Sequence, residues 1–215
     1  MLRLPFLLLF QTLPISNVLS QNEESLNNKG LELMQEERYA EALPYFEDLI
    51  AINPTETVYR YNRAVTLFNL KEYQKSLQDY LYLVKIDSEE PEYYFQIGNI
   101  YEHLDNLIES EKYYSKAISI EKNYSLYYFK RGTVRLKQFQ WNPAVADFNR
   151  VLELDPEHHN SYHNRGIAYY RAGFKEKGCE DWCQALLKGN PRSAEHLQKN
   201  CKSYPKPCLF LNEDD

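Results

Sequence analysis

The stretch that decides the fold is Ser125–Pro156, SLYYFKRGTVRLKQFQWNPAVADFNRVLELDP. It reads as two short amphipathic helices joined by a turn. Gly132 falls on the first helix and Ala144 near the start of the second, and small residues there let two helix backbones approach closely. Phe148 and Val151 follow at helical spacing and face the first helix. Asn142-Pro143 predicts a helix start, with Asn as cap and Pro at the first helical position, where its missing N–H had no intrahelical partner. Pro156 stops the second helix.

The pattern returns every 34 residues along the chain. The place of Gly132 is filled by Gly30, Ala64, Gly98 and Gly166, and that of Ala144 by Ala42, Ser76, Ser110 and Gly178. Phe148 matches Phe46, Tyr80, Tyr114 and Trp182. Leu152 matches Ile50, Val84, Ile118 and Leu186, and Leu154 matches Ile52, Ile86 and Ile120, with Lys188 breaking the row. Five units align without insertion or deletion: about 23–54, 57–88, 91–122, 125–156 and 159–190. Linkers of a few residues leave no room for an inserted catalytic domain.

On these residues the chain resembles the tetratricopeptide repeat (TPR) family, whose unit is a 34-residue helix–turn–helix. Tyr94, Gly98, Tyr101, Ser110, Tyr114 and Ala117 follow its pattern, as do Tyr162, Gly166, Tyr169, Gly173, Trp182 and Ala185. Arg135 departs from it in place of a first-helix aromatic, and Ser88, Lys122 and Asn190 replace the closing Pro. The resemblance covers about residues 23–190. It implies an all-α fold, a right-handed α-solenoid of about five units, in which each unit buries its faces against its neighbours.

The ends differ in kind. Met1–Ser20 holds one charge, Arg3, and an apolar run from Leu4 to Phe10, and Val18-Leu19-Ser20 offers a cleavage site before Gln21. This reads as a secretory signal peptide, followed by the array over 21–190. The run is well short of the ~20 apolar residues that span a bilayer. After Pro191, Ala194, Leu197 and Cys201 share one face of a last helix over Arg192–Ser203, with Glu195, Gln198, Lys199 and Lys202 on the other. That is the amphipathic pattern of a capping helix, placed at 191–204, with residues 205–215 as a tail. His196 on this helix reads as a surface residue.

All four cysteines lie in the C-terminal part of the chain, and an even number in an exported protein suggests disulfides. Cys179 and Cys183 share one helix turn, where a bridge would strain the geometry. With the fifth unit's second helix antiparallel to the cap, Cys179 and Cys201 stand level about the turn near Asn190. That predicts Cys179–Cys201, with Cys183–Cys208 if the tail folds back. His158, His159 and His163 include an i, i+4 pair, but no third ligand stands at useful spacing, so neither metal nor cofactor is expected.

The chain lacks the nucleophile-elbow, phosphate-loop and zincin motifs, and it is read as non-enzymatic. Its net charge of −6, or −7 without Arg3, argues against nucleic acid as the main partner. Binding remains. The family resemblance implies that first helices line a concave groove. Those positions are Tyr61, Asn62, Val65 and Phe68; Phe95, Asn99, Glu102 and His103; Phe129, Lys130, Thr133 and Lys137; and His163, Asn164, Ile167, Tyr170 and Arg171. An aromatic column flanked by amides and cations suits a protein or peptide partner, some of the aromatics being buried between helices. Asn62 resembles one element of the family's carboxylate clamp, but Asn27, Glu92 and Gln96 stand where its basic residues belong. The expected function is a protein-interaction scaffold, exported to the periplasm or cell surface. The alternatives are an assembly or chaperone factor for client proteins, and a cell-wall or surface glycan binder.

Overall fold

The computed structural model describes residues 15–201 and Cys208, with side chains described from Gln21 onward. The expectations placed on residues 1–14 and on the tail around Cys208 lie outside the described residues. Among the described residues the chain forms eleven α-helices and no strand. They are α1 (Ile15–Gln35), α2 (Tyr39–Ile52), α3 (Thr57–Asn69), α4 (Tyr73–Ile86), α5 (Pro91–His103), α6 (Leu107–Ile120), α7 (Ser125–Lys137), α8 (Trp141–Leu154), α9 (His159–Arg171), α10 (Lys175–Leu187) and α11 (Arg192–Asn200). The chain divides into two compact units, one ending at Asp79 and one beginning at Tyr80, so the division runs through α4.

The first unit holds α1, α2, α3 and the start of α4. Its core is Leu33, Ala42, Phe46, Leu49 and Tyr59. Glycine is needed at position 30, because a Cβ there would lie 2.7 Å from the Phe46 ring. The ring is fully buried in the gap, which contributes about 2–3 kcal/mol of apolar transfer energy. Ser76 Oγ donates to the Ala64 carbonyl at 2.7 Å, so the hydroxyl at this small-residue position satisfies a buried acceptor on the facing helix.

The second unit holds the rest of α4 and α5 to α11. It repeats the same contact between sites 16 residues apart. A Cβ on Gly98 would meet the Tyr114 ring at 2.6 Å, one on Gly132 the Phe148 ring at 3.0 Å, and one on Gly166 the Trp182 indole at 2.7 Å. Ser110 Oγ donates to the Gly98 carbonyl at 2.9 Å, as Ser76 does to Ala64. The missing side chain on the first helix is thus the socket for the aromatic of the second.

The turn inside each pair also recurs. Glu37, Lys71, Asp105, Phe139 and Gly173, each 34 residues from the next, all have positive φ. One residue on, the N–H reaches back to the first helix: Arg38 to Leu33 O at 2.8 Å, Glu72 to Leu67 O at 2.8 Å, Asn106 to Tyr101 O, Gln140 to Arg135 O and Phe174 to Tyr169 O, each of the last three at 2.9 Å. This is a left-handed helix C-cap with a 6→1 bond. Glycine suits it, yet only the last turn has one.

One expectation about the helix starts is corrected. Helix α8 begins at Trp141 with Gln140 as N-cap, so Pro143 sits third rather than first, still among positions whose N–H has no intrahelical acceptor. Pro44 lies inside α2, in its second turn. Helix α1 begins at Ile15 and so extends ahead of the first repeat unit, which starts at about Glu23.

Buried ion pairs form a second repeating device. Arg63 binds Asp79 through Nε at 2.8 Å and Nη2 at 2.7 Å. Arg131 Nη2 lies 2.6 Å from Asp147, and Arg165 grips Asp181 with two bonds of 2.7 Å. The corresponding places are Lys29 and Tyr45 in the first repeat and Ile97 and Tyr113 in the third. Arg and Asp are thus present or absent together. Arg135, which breaks the family pattern, bonds Asp147 at 2.9 Å and Glu111 at 2.8 Å instead of packing as an aromatic. Among the described residues no buried side-chain polar atom lacks a partner.

The cap α11 packs on α10. Leu197 and Cys201 are buried in a cluster with Cys179, Trp182 and Cys208. The structure brings Cys179 and Cys201 to disulfide-bonding distance, with Cα atoms 5.9 Å apart, and likewise Cys183 and Cys208, with Cα atoms 5.6 Å apart.

Candidate partner-binding face

The first helices of neighbouring pairs touch one another, α1 with α3 in the first unit and α7 with α9 in the second. Their shared face carries the residues singled out from the sequence. In the first unit Tyr61 is half-buried, while Asn62 is only 7% exposed and its amide donates to Asn27 at 3.4 Å. Phe68 is half-buried and packs edge-on against Tyr73, their centroids 5.5 Å apart.

In the second unit the aromatic column is broken. Phe95 is only 6% exposed, wedged between Tyr114 at 5.6 Å and Tyr127 at 5.0 Å. Phe129 is half-buried against Phe148 and His158. Tyr170 leans on Trp182 at 5.3 Å. Sequence periodicity places a side chain on a face, but it does not say whether the next helix covers it.

A polar network fills the space instead. The Tyr114 hydroxyl, from the second helix, reaches through to Asn99 at 2.7 Å and Glu102 at 3.0 Å. Asn99 in turn donates to Gln96 at 3.1 Å, and Gln96 donates to Glu92 at 2.6 Å. Lys137 donates to Glu102 at 2.6 Å, and Lys130 stands 3.8 Å from it. Burial pushes the Glu102 carboxyl up, but Lys137, Lys130 and the Tyr114 hydroxyl more than offset this and hold it below the usual carboxylate range. Burial, with Glu102 adding to it, drives the Tyr114 phenol far above its ordinary value, so it stays a donor. Thr133 turns back to the Phe129 carbonyl at 2.9 Å. Gln96, Lys130 and Asn164 occupy one repeat position on α5, α7 and α9, and all three are half-buried.

The C-terminal end of this face is built differently. His163 Nδ1 meets the buried Ser193 hydroxyl of the cap at 2.8 Å. Burial, with His196 and Arg192 nearby, pulls the His163 imidazole down to about 4, so it is neutral at pH 7. His196 is not the plain surface residue expected. It stacks on the Trp182 indole at 4.6 Å with planes 18° apart, and meets His163 edge-on at 5.3 Å. Arg171 is exposed. His158 caps α9 through Nδ1, which accepts from the Ser161 N–H at 3.1 Å. Burial lowers the pKa of both His158 and His196. The i, i+4 pair His159 and His163 gains no further ligand: among the described residues no group of three metal-binding side chains converges.

The fold and this face define a helical-repeat protein. Tetratricopeptide repeat profiles match residues 27–91 and 129–194, and a further one matches 91–124. The chain belongs to the tetratricopeptide repeat family. No curated protein sequence matches it. Among solved structures it is similar to MamA from Desulfovibrio magneticus RS-1, at 15% identity over 80% of this chain and 96% of that one, with a TM-score of 0.73. It is also similar to YrrB, described as a TPR protein with an unusual peptide-binding site, at 18% identity over 86% and 97%, with a TM-score of 0.72. TTC0263, a thermophilic TPR protein of Thermus thermophilus, follows at 20% identity over 82% and 99%, with a TM-score of 0.59. No described helix is long and apolar enough to cross a membrane.

Proposed function

We propose that this chain is a non-enzymatic scaffold whose first-helix face binds a polypeptide segment of a partner protein. The observation that carries this reading is the row Gln96, Lys130 and Asn164, set beside the Glu102 network. It offers amide and ammonium groups at regular steps on rigid helices. An extended polypeptide presents carbonyls and N–H groups at regular steps and gains most from donors already held in place. The likeness to YrrB, whose description names a peptide-binding site, supports the same reading. The glycan alternative drew on an exposed aromatic column, and the burial of Phe95 favours the polypeptide reading over it.

Export to the periplasm or cell surface is part of the proposal, motivated by the apolar N-terminal run and by two cysteine pairs at bonding distance. The binding claim is tested by selecting peptides from a displayed library on the purified chain, then mapping protection from hydrogen exchange. Protection of α5, α7 and α9 is the expected result. Protection confined to α6, α8 and α10 would place the site on the opposite helices.

A further inference from the structure

A pocket of about 250 Å³ opens beside the cap helix α11. Tyr170, Trp182 and His196 form its floor, and Arg171, Lys199 and Glu195 stand at its rim. The floor is fixed before any ligand arrives. Trp182 is 1% exposed, its indole stacked on His196 and its N–H tied to the His163 carbonyl at 3.2 Å. The cap that supplies His196 and the rim is held to α10 by the packing of Leu197 and Cys201 against Trp182 and Cys179.

The rim is unlike the rest of this face. On α7 both lysines, Lys130 and Lys137, have a carboxylate beside them, Glu102 of α5. Arg171 and Lys199 are exposed, and among the described residues neither has an ion pair or a side-chain hydrogen bond. Both lie close enough to His196 to disfavour its charged form. Glu195 is the one acid at the rim, so positive charge is in excess.

Size and chemistry together select the ligand. Pockets for whole small molecules run from about 300 to 1,000 Å³. This one is smaller and suits a single side chain. Its aromatic floor favours a flat apolar group, and its unpaired cations favour carboxylates beside that group. Tyr170 and Arg171 also belong to α9, so the pocket continues the face assigned to a polypeptide.

We propose that this pocket takes an aromatic side chain of an acidic polypeptide segment, whose neighbouring carboxylates pair with Arg171 and Lys199. This rests on the reading that the first-helix face binds polypeptide, and it adds which segments that face prefers.

The test is a fluorescence titration of the full chain with three capped probes: acetyl-Gly-Phe-Glu-Glu-Gly-amide, its Gln-Gln counterpart, and the counterpart with Ala for Phe. In a Trp141→Phe background the remaining indole, Trp182, reports from the pocket itself. The Phe-Glu-Glu probe is expected to change that emission and to bind about tenfold more tightly than either counterpart. Arg171→Gln and Lys199→Gln should each weaken it about fivefold and leave the Gln-Gln probe unaffected. Both residues are exposed, so the variants keep the fold. Equal binding of the acidic and Gln-Gln probes would overturn the proposal, as would unchanged affinity in the doubly substituted chain. Library-selected peptides that still protect α5 and α7 in that doubly substituted chain would leave the scaffold reading standing while the pocket assignment fell.

Discussion

Arg165 and Asp181 face each other across α9 and α10 in a two-pronged grip, with Nε and Nη2 each 2.7 Å from a carboxylate oxygen. Asp181 is only 5% exposed, and the guanidinium also reaches Asn149 at 2.8 Å. The two charges are desolvated together. Removing one strands the other, whereas removing both need not cost much. Asp181→Ala should therefore lose about 3 kcal/mol of stability, and the pair Arg165→Met with Asp181→Leu much less. Urea unfolding of the single and double variants checks this. A double variant as unstable as the single one would show that the grip itself, rather than charge pairing, holds the helices.

The two kinds of repeat position make opposite predictions. At Gly166 an added Cβ would sit 2.7 Å from the Trp182 indole and 3.0 Å from the Gly178 carbonyl, so Gly166→Ala should cost about 1–3 kcal/mol. At Phe139 the backbone has φ of 60° and the residue is 74% exposed, a conformation that Asn adopts more readily than Phe. Phe139→Asn should gain roughly 0.5–1 kcal/mol. Thermal unfolding of both variants decides, and a stabilised Gly166→Ala would contradict the socket described for the aromatic.

How much of this was legible in the sequence depends on what each residue reports. The period of 34 and the Gly-to-aromatic spacing of 16 carried the helix pairs, because packing leaves a compositional trace. The left-handed turns at Glu37, Lys71, Asp105 and Phe139 left none, since tertiary packing imposes a conformation that those side chains do not prefer. The Arg–Asp pairs were present in the sequence as a joint gain and loss at the same 16-residue spacing, and comparing the units with one another would have found them. Phe95 and Asn62 lie on the first helices of their pairs, but their burial depends on neighbouring side chains such as Tyr127 and Asn27, which a helix-face argument does not include.

His163 gives the chain an acid sensitivity. Its folded value of about 4 lies below the ordinary histidine value near 6.5. As pH falls below that ordinary value the unfolded chain takes up a proton that the folded chain refuses. The stabilisation is therefore complete above about pH 7 and is lost progressively between about 6.5 and 4. Partial exposure limits its size to roughly 1–2 kcal/mol. His158 and His196 are shifted in the same direction and add to it. Comparing denaturant midpoints at pH 7 and pH 5 for the chain and for His163→Asn tests this. An equal acid loss in both would remove His163 from the account.

The cap should depend on its cysteines. A Cys179–Cys201 bridge closes a sequence separation of 22 residues, for which about 3 kcal/mol is expected. Oxidised chain should unfold at higher denaturant than Cys201→Ser, and reduction should narrow the gap. Peptide mapping of unreduced material should recover Cys179 with Cys201 and Cys183 with Cys208; free thiols at these positions would end the export proposal as well.

The measurement that tests the central claim most directly is the affinity of a library-selected peptide for the chain and for a variant with Gln96, Lys130 and Asn164 changed to Ala. These three are half-buried positions on α5, α7 and α9, and the variant's helicity and unfolding midpoint serve as controls. The account predicts that the folded variant loses about tenfold or more in affinity, since several hydrogen-bonding groups are removed at once. Equal affinity for both chains would contradict it and would place the binding surface away from the first-helix face.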